Sequence, residues 1–297
     1  MTPRLRRVVA TTIAAGAASA AVAHGQIAPT PTGNFGGGAI AVPVDEDTVA
    51  RDMLLSIRAR SGGRAGVDGQ IFTSCGAGTI KGEAKLAADG SFTLRGETRR
   101  RPVVGVTETT TFVVRGTLAA GGGSGTARGT LKLDPRRGAT KTCKSKTVSW
   151  TVRRASGPSA APGPAPAAAT LYGLTSQKAS RARHAVVLFT GSGARSIERF
   201  LFSFRSRCDR GRVVVYDEQN FSPEFDVAAD GSFRDVERFR LTFADVVVAT
   251  TVVVRGQFDR VGGAAGKLSV TERVSSRRTG KRVDICRTGV RSWAVTP

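Results

Sequence analysis

The chain has 297 residues, 40% of them apolar and 23% charged, a composition that can build packed cores and excludes wholesale disorder. Lys and Arg number 45 against 23 Asp and Glu, for a formal charge of +22, and only two His are present. That leaves almost no room for His-based triads or His-rich metal sites.

In chain order, residues 1–23 read as a signal peptide. Arg4, Arg6 and Arg7 precede an uncharged run of small apolar residues, and Ala21-Val22-Ala23 supplies the small-x-small pattern accepted at cleavage. Cleavage after Ala23 is expected to release the mature chain outside the cell, carrying about +19. No later stretch reaches 18 consecutive apolar residues, so the mature chain holds no membrane span of that kind. Residues 24–33 form a short N-terminal segment. Residues 154–170 are rich in Pro, Ala and Gly and are expected to act as a semi-stiff spacer. They divide the mature chain into 34–153 and 171–297.

The two segments repeat each other. Ala87-Ala88-Asp89-Gly90-Ser91-Phe92 recurs as Ala228-Ala229-Asp230-Gly231-Ser232-Phe233, and Val113-Val114-Arg115-Gly116 recurs as Val253-Val254-Arg255-Gly256. Cys75 answers Cys208, and Cys143 and Cys286 each stand seven residues before a Trp, Trp150 and Trp293. A tandem duplication follows. Four Cys allow three connectivities, and the repeat selects Cys75–Cys143 and Cys208–Cys286, one bridge per domain. A bridge closing so long a loop contributes about 4 kcal/mol in the chain-entropy account. Such bridges belong to an oxidising compartment.

Strand signals dominate each copy. Phe200, Phe202 and Phe204 alternate with Leu201, Ser203 and Arg205, and Phe239, Leu241 and Phe243 alternate with Arg238, Arg240 and Thr242, the period of a half-buried strand. Asp89-Gly90 and Asp230-Gly231 mark hairpin turns, and Asp68-Gly69 reads as a further one. Asp47–Ile57 carries Met53, Leu54 and Ile57 on one helical face, but its counterpart in the second copy ends in an apolar strand pattern, so a strand is favoured in both. The expected fold is all-β, two tandem antiparallel β-sandwich domains of seven to nine strands each, with meander β-barrels as the alternative. Ten of the 14 Phe fall in the second copy, and each Trp is expected in the core near its disulfide.

The Tyr172-Gly173-Leu174-Thr175-Ser176-Gln177 opening, the Asp-Gly-Ser-Phe turn and the Cys-to-Trp spacing resemble those of secreted, disulfide-stapled tandem β-domain proteins of GC-rich Gram-positive bacteria. The resemblance spans both copies and is structural; it implies no activity. The first copy lacks the Tyr-Gly-Leu-Thr-Ser-Gln opening.

Chemistry-bearing patterns are sparse. His184, the one internal His, lies in an apolar strand, and no Gly-x-Ser-x-Gly elbow is present. Asp217, Glu218, Glu224 and Asp226 could serve an extracellular hydrolase or hold Ca²⁺, but the first copy has no matching cluster. No cofactor or metal is expected. The positive charge is the outstanding property, +9 in each copy. Its densest runs lie just before the second Cys: Arg136, Arg137 and Lys141 in one copy, Arg277, Arg278, Lys281 and Arg282 in the other. Two such patches suit an anionic envelope polymer or glycan. No aromatic interleaving supports base stacking, so no nucleic-acid motif is read. Arg outnumbers Lys 36 to 9, as a GC-rich coding sequence would also produce. The expected role is that of an exported, non-enzymatic binding or surface-associated protein; a ligand-free structural spacer is the remaining alternative.

Overall fold

A computed structural model describes residues 31–41, 50–101, 106–136, 138–154, 161–211, 213–217 as backbone, 225–242 and 245–297. The signal peptide, Arg137, Glu218, Glu224, Phe243 and residues 155–160 of the spacer lie outside them. The described residues hold strands and no helix; of the stretch 47–57, residues 47–49 lie outside them and residues 53–57 are strand as expected.

In the first domain the strands are β1 (Gly33–Ala39), β2 (Met53–Arg60), β3 (Arg64–Thr73), β4 (Gly76–Lys85), β5 (Ser91–Arg100), β6 (Val106–Leu118), β7 (Gly122–Pro135), β8 (Lys141–Lys144) and β9 (Val148–Arg154). They form one antiparallel sheet in the order β4-β3-β2-β1-β9-β7-β6-β5, with β8 added to β7. The second domain contains β10 (Thr170–Lys178), β11 (Arg183–Thr190), β12 (Ser196–Cys208), β13 (Val213–Asp217), β14 (Phe225–Asp226), β15 (Ser232–Thr242), β16 (Val246–Phe258), β17 (Ala264–Ser276), β18 (Arg282–Arg287) and β19 (Arg291–Thr296). Its order, β13-β12-β11-β10-β19-β17-β16-β15, copies the first. Here β18 pairs with both β17 and β12, so the sheet returns on itself. Each domain is thus a single rolled sheet, nearly closed in the first copy and closed in the second. This is the barrel alternative rather than the favoured sandwich, because the pattern of alternation sets faces but not closure.

Both disulfides form as the repeat demands, Cys75–Cys143 and Cys208–Cys286. The Asp-Gly turns form too: Gly90 and Gly231 sit at φ +79° and +82°, and each Asp carboxylate accepts the amide two residues on, at 2.9 Å from Ser91 and from Ser232. Trp150 and Trp293 are core residues, as expected. Phe92 packs on Trp150 at a ring-centroid distance of 6.0 Å, and Phe233 and Phe200 pack on Trp293 at 5.9 and 5.3 Å. Glycines paired in register, Gly116 with Gly125 and Gly256 with Gly266, leave room for each indole. The second core is the more aromatic, with Phe200, Phe202, Phe225, Phe233 and Phe258 in mutual contact.

Three local expectations change. Asp68-Gly69 is no turn but lies within β3, where a Cβ at Gly69 would sit 2.5 Å from the Leu54 carbonyl oxygen. Residues 161–169 do not behave as a spacer. Gly163 donates its amide to Phe258 at 3.1 Å, Thr190 donates its hydroxyl to the Pro166 carbonyl at 2.6 Å, and Ala165 is buried in the second core. Finally, β12 is buried on both faces, because Leu201 packs against the first domain.

The two rolled sheets meet through equivalent strands. Register aligns Gly37 with Gly173, since each pairs with the Val two residues after its domain's Trp. A Cβ at Gly36 would lie 2.2 Å from the Gly173 oxygen, and one at Gly37 would lie 2.9 Å from Tyr172 Cβ. These are the same contact viewed from the two sides of an approximate dyad, the self-complementary geometry of a symmetric dimer. Leu54, Ala185, Val187 and Leu201 bury an apolar patch there, with Ile40 and Tyr172 against it. Arg199 reaches across to Asp52 at 2.5 Å, and both side chains are buried. Asp68 accepts bonds from the Ser180 hydroxyl at 2.8 Å and from the amides of Arg181 and Ala182. Burial pushes the Asp52 carboxyl above its ordinary value against the pull of Arg199.

Candidate anion-binding surface

The two basic runs read from the sequence occupy matching places, the tips of the β7–β8 and β17–β18 hairpins. Arg277, Arg278, Lys281 and Arg282 are all exposed. The turn is shaped by Ser276 and Gly280 donating to Lys281 and Ser276 carbonyls, each at 2.9 Å, and by Arg277 donating to the Asp245 carbonyl at 2.9 Å. No carboxylate among the described residues lies within ion-pair distance of these four cations. In the first copy Arg136 and Lys141 are exposed likewise, while Asp134 shares that hairpin and accepts the Thr140 hydroxyl at 2.8 Å. The two tips are therefore unequal in charge.

Strand alternation in the second domain separates charge by face. On β15, Phe233, Asp235, Glu237 and Phe239 share the inward parity, and Arg234, Arg238 and Arg240 point out. On β17, Glu272 is inward and buried, and Lys267 and Arg273 are exposed. Arg255 on β16 and Arg287 on β18 join the outer face, where, among the described residues, Arg287 is the one cation bonded to an exposed acid, Asp209 at 2.7 Å. The result is a basic outer face, continuous with the hairpin tip through the Ser275–Arg282 pair.

The first domain supplies the comparison, because both copies share one framework. Where the second copy has Arg238, the first has Glu97, and where it has Arg234 and Lys267 the first has Thr93 and Thr126. Inside, Leu131 faces Cys143 in the first copy, and Glu272 faces Cys286 in the second. The second domain thus carries cations at these outer places and a carboxylate at this inner one, while the first carries Arg95 and Arg128 where the second has Val236 and Ser269. Burial pushes Glu272 up to about 7, with the Ser206 hydroxyl pulling the other way. Burial and the neighbouring Asp235 push Glu237 up to about 7 as well.

One open groove of about 750 Å³ crosses this face. Its lining includes Asp226, Phe233, Arg234, Arg255, Gln257 and Lys267. Register sets Arg234 opposite Arg255 and Arg255 opposite Lys267, a straight row of three exposed cations on adjacent strands.

Catalytic candidates fare less well. Of the acids read as hydrolase candidates, Asp226 is exposed at the groove, Asp217 is described only as backbone, and Glu218 and Glu224 lie outside the described residues. His184 is buried with Nδ1 3.0 Å from Ser203 Oγ, itself buried. Burial drives its pKa down to about 4, so it is neutral at neutral pH. Cys208, Cys286 and Asp284 bring their ligand atoms within 4.8 Å of one another, but both sulfurs are spent in the disulfide. Among the described residues no helix is long and apolar enough to cross a membrane. Compared with known protein families, curated proteins and solved structures, the chain matches none.

The three-cation row and the inward acids escaped the reading of the sequence, which looked for runs of charge. Cross-strand rows unite residues over 30 positions apart. The available signal was parity, Arg at 234, 238 and 240 against Phe at 233 and 239.

Proposed function

We propose that the protein is an exported, non-catalytic binding module that attaches to an anionic extracellular or envelope polymer, with the leader removed after Ala23 and both disulfides formed on export. One observation carries the reading: on β15–β17 of the second domain the acids turn inward and the cations outward, although the duplicated framework of the first domain folds without that arrangement. Like charges facing each other across strands are destabilising, and an anionic ligand relieves that repulsion. Both hairpin tips and the outer face contribute, the second domain most.

The test is co-sedimentation of the oxidised mature chain with an insoluble polyphosphate gel across a salt series. Retention that falls steeply between low and high salt supports charge-driven attachment. Absence of retention at the lowest salt overturns the reading, and leaves the positive charge as a matter of composition.

A further inference from the structure

The row Arg234–Arg255–Lys267 has features that the rest of the basic face lacks. Its three cations stand directly opposite one another on neighbouring strands. At about 4.8 Å between strands the row spans about 10 Å. It runs along an open groove whose lining places Gly256, Gln257, Ala265 and Gly266 beside the three cations. No carboxylate among the described residues pairs with any of the three, and Asp226 at the groove is the one described acid that lines it. The same strand positions in the first domain read Thr93, Arg115 and Thr126, so the fold does not require the outer two cations.

We infer that this groove is a phosphoryl-binding subsite, taking two or more linked phosphate groups of a phosphate-bearing polymer along the Arg234–Arg255–Lys267 row. The inference rests on the polymer-binding reading above and names the chemistry that the polymer carries. Two guanidinium groups present planar forks that meet phosphate oxygens bidentately, and the Lys ammonium adds a point charge at the end of the row. Three cations in line match a ligand carrying several closely spaced negative charges. A uronate chain offers one charge per sugar and leaves the row undercompensated. Phe233 and Val227 line the groove but are buried in the core, so no exposed ring among the lining residues stacks a base and the contacts go to the phosphates themselves.

Titration calorimetry on the full oxidised chain tests this with tripolyphosphate and, separately, with trigalacturonate. Wild type is expected to bind tripolyphosphate more tightly than trigalacturonate. The double variant Arg234→Thr with Lys267→Thr restores the residues of the first domain, and is expected to lose tripolyphosphate affinity by tenfold or more. Arg255→Thr, which leaves both flanking cations in place, repeats the test should the double variant fold poorly. The first-domain variant Arg95→Ser with Arg99→Ser, which removes two exposed cations outside the row, is expected to stay within threefold of wild type for this short probe. Equal affinity of wild type and both row variants for tripolyphosphate overturns the subsite, as does equal affinity for trigalacturonate. If wild type is held by the polyphosphate gel while the row variants bind tripolyphosphate unchanged, the subsite falls and the polymer reading stands. If wild type binds neither gel nor tripolyphosphate, both fall.

Discussion

Glu272 shows at one residue how the copies diverged. It faces Cys286 across the β17–β18 ladder, is only 3% exposed, and leaves Oε2 without a hydrogen-bond partner among the described residues. The equivalent Leu131 fills that place in the first domain. Because burial raises the carboxyl from 4.5 to about 7, the folded state holds its proton more tightly than the unfolded chain. The destabilisation is therefore absent at pH 4, grows as pH rises through the window from 4.5 to about 7, and is complete above it. A shift of that size corresponds to at most about 3 kcal/mol. Glu272→Gln is expected to raise the melting temperature at pH 8 by several degrees and to change it little at pH 4, as thermal melts at the two values will show. Equal effects at both would assign the change to packing rather than charge. His184 has the opposite sign: burial lowers its pKa from 6.5 to about 4, so the unfolded chain holds the proton more tightly, and its cost to stability is absent at pH 8 and grows as pH falls through the window from 6.5 to about 4.

At the scale of elements, the strands were readable because half-buried strands alternate with a period of two, and the duplication doubled every signal. The turns at Asp89-Gly90 and Asp230-Gly231 were readable because Gly alone adopts those positive φ values without strain. Asp68-Gly69 carried the same letters and misled, because an Asp-Gly pair inside a strand differs only in what packs on it: here Asp68 caps the amides of Arg181 and Ala182 from the other domain. The spacer reading failed for residues 161–169 for a related reason. Small Pro- and Ala-rich residues have no pattern of their own, and their fit against the Phe258 and Thr190 region is decided by the surface they meet. The domain contact was likewise invisible, since the glycines of β1 declare room but not what fills it. Gly36→Ala is expected to force β1 away from β10, because the added Cβ would lie 2.2 Å from backbone oxygen at Gly173. Small-angle scattering should then report a larger radius of gyration, with far-UV circular dichroism unchanged. An unaltered radius would mean that the two sheets do not depend on that approach.

For the whole molecule, the two domains share a framework and a charge of +9 each, yet distribute it differently. In the first, Glu97 and Asp134 are interspersed among the outer cations of β5 and β7. In the second, the acids of β15 and β17 are turned inward. The buried contact between domains, with Asp52 and Arg199 at its edge, joins the two faces into one body rather than leaving them on a flexible tether. Net charge alone would make the two faces interchangeable for an anionic polymer; a built surface would not. The amount of charge was readable from composition, and its placement was not, because placement depends on which strands become neighbours.

That difference sets the most direct measurement. Two triple variants of equal charge are compared for retention on polyphosphate gel at fixed low salt: Arg238, Arg240 and Arg273 to Ser in the second domain, and Arg95, Arg99 and Arg128 to Ser in the first. All six side chains are exposed, so neither set is expected to disturb folding. The second-domain variant should lose most of its retention, and the first-domain variant should keep most of it. Equal losses from both would show that the chain binds through its total charge, and would contradict the assignment of the polymer to the outer face of the second domain.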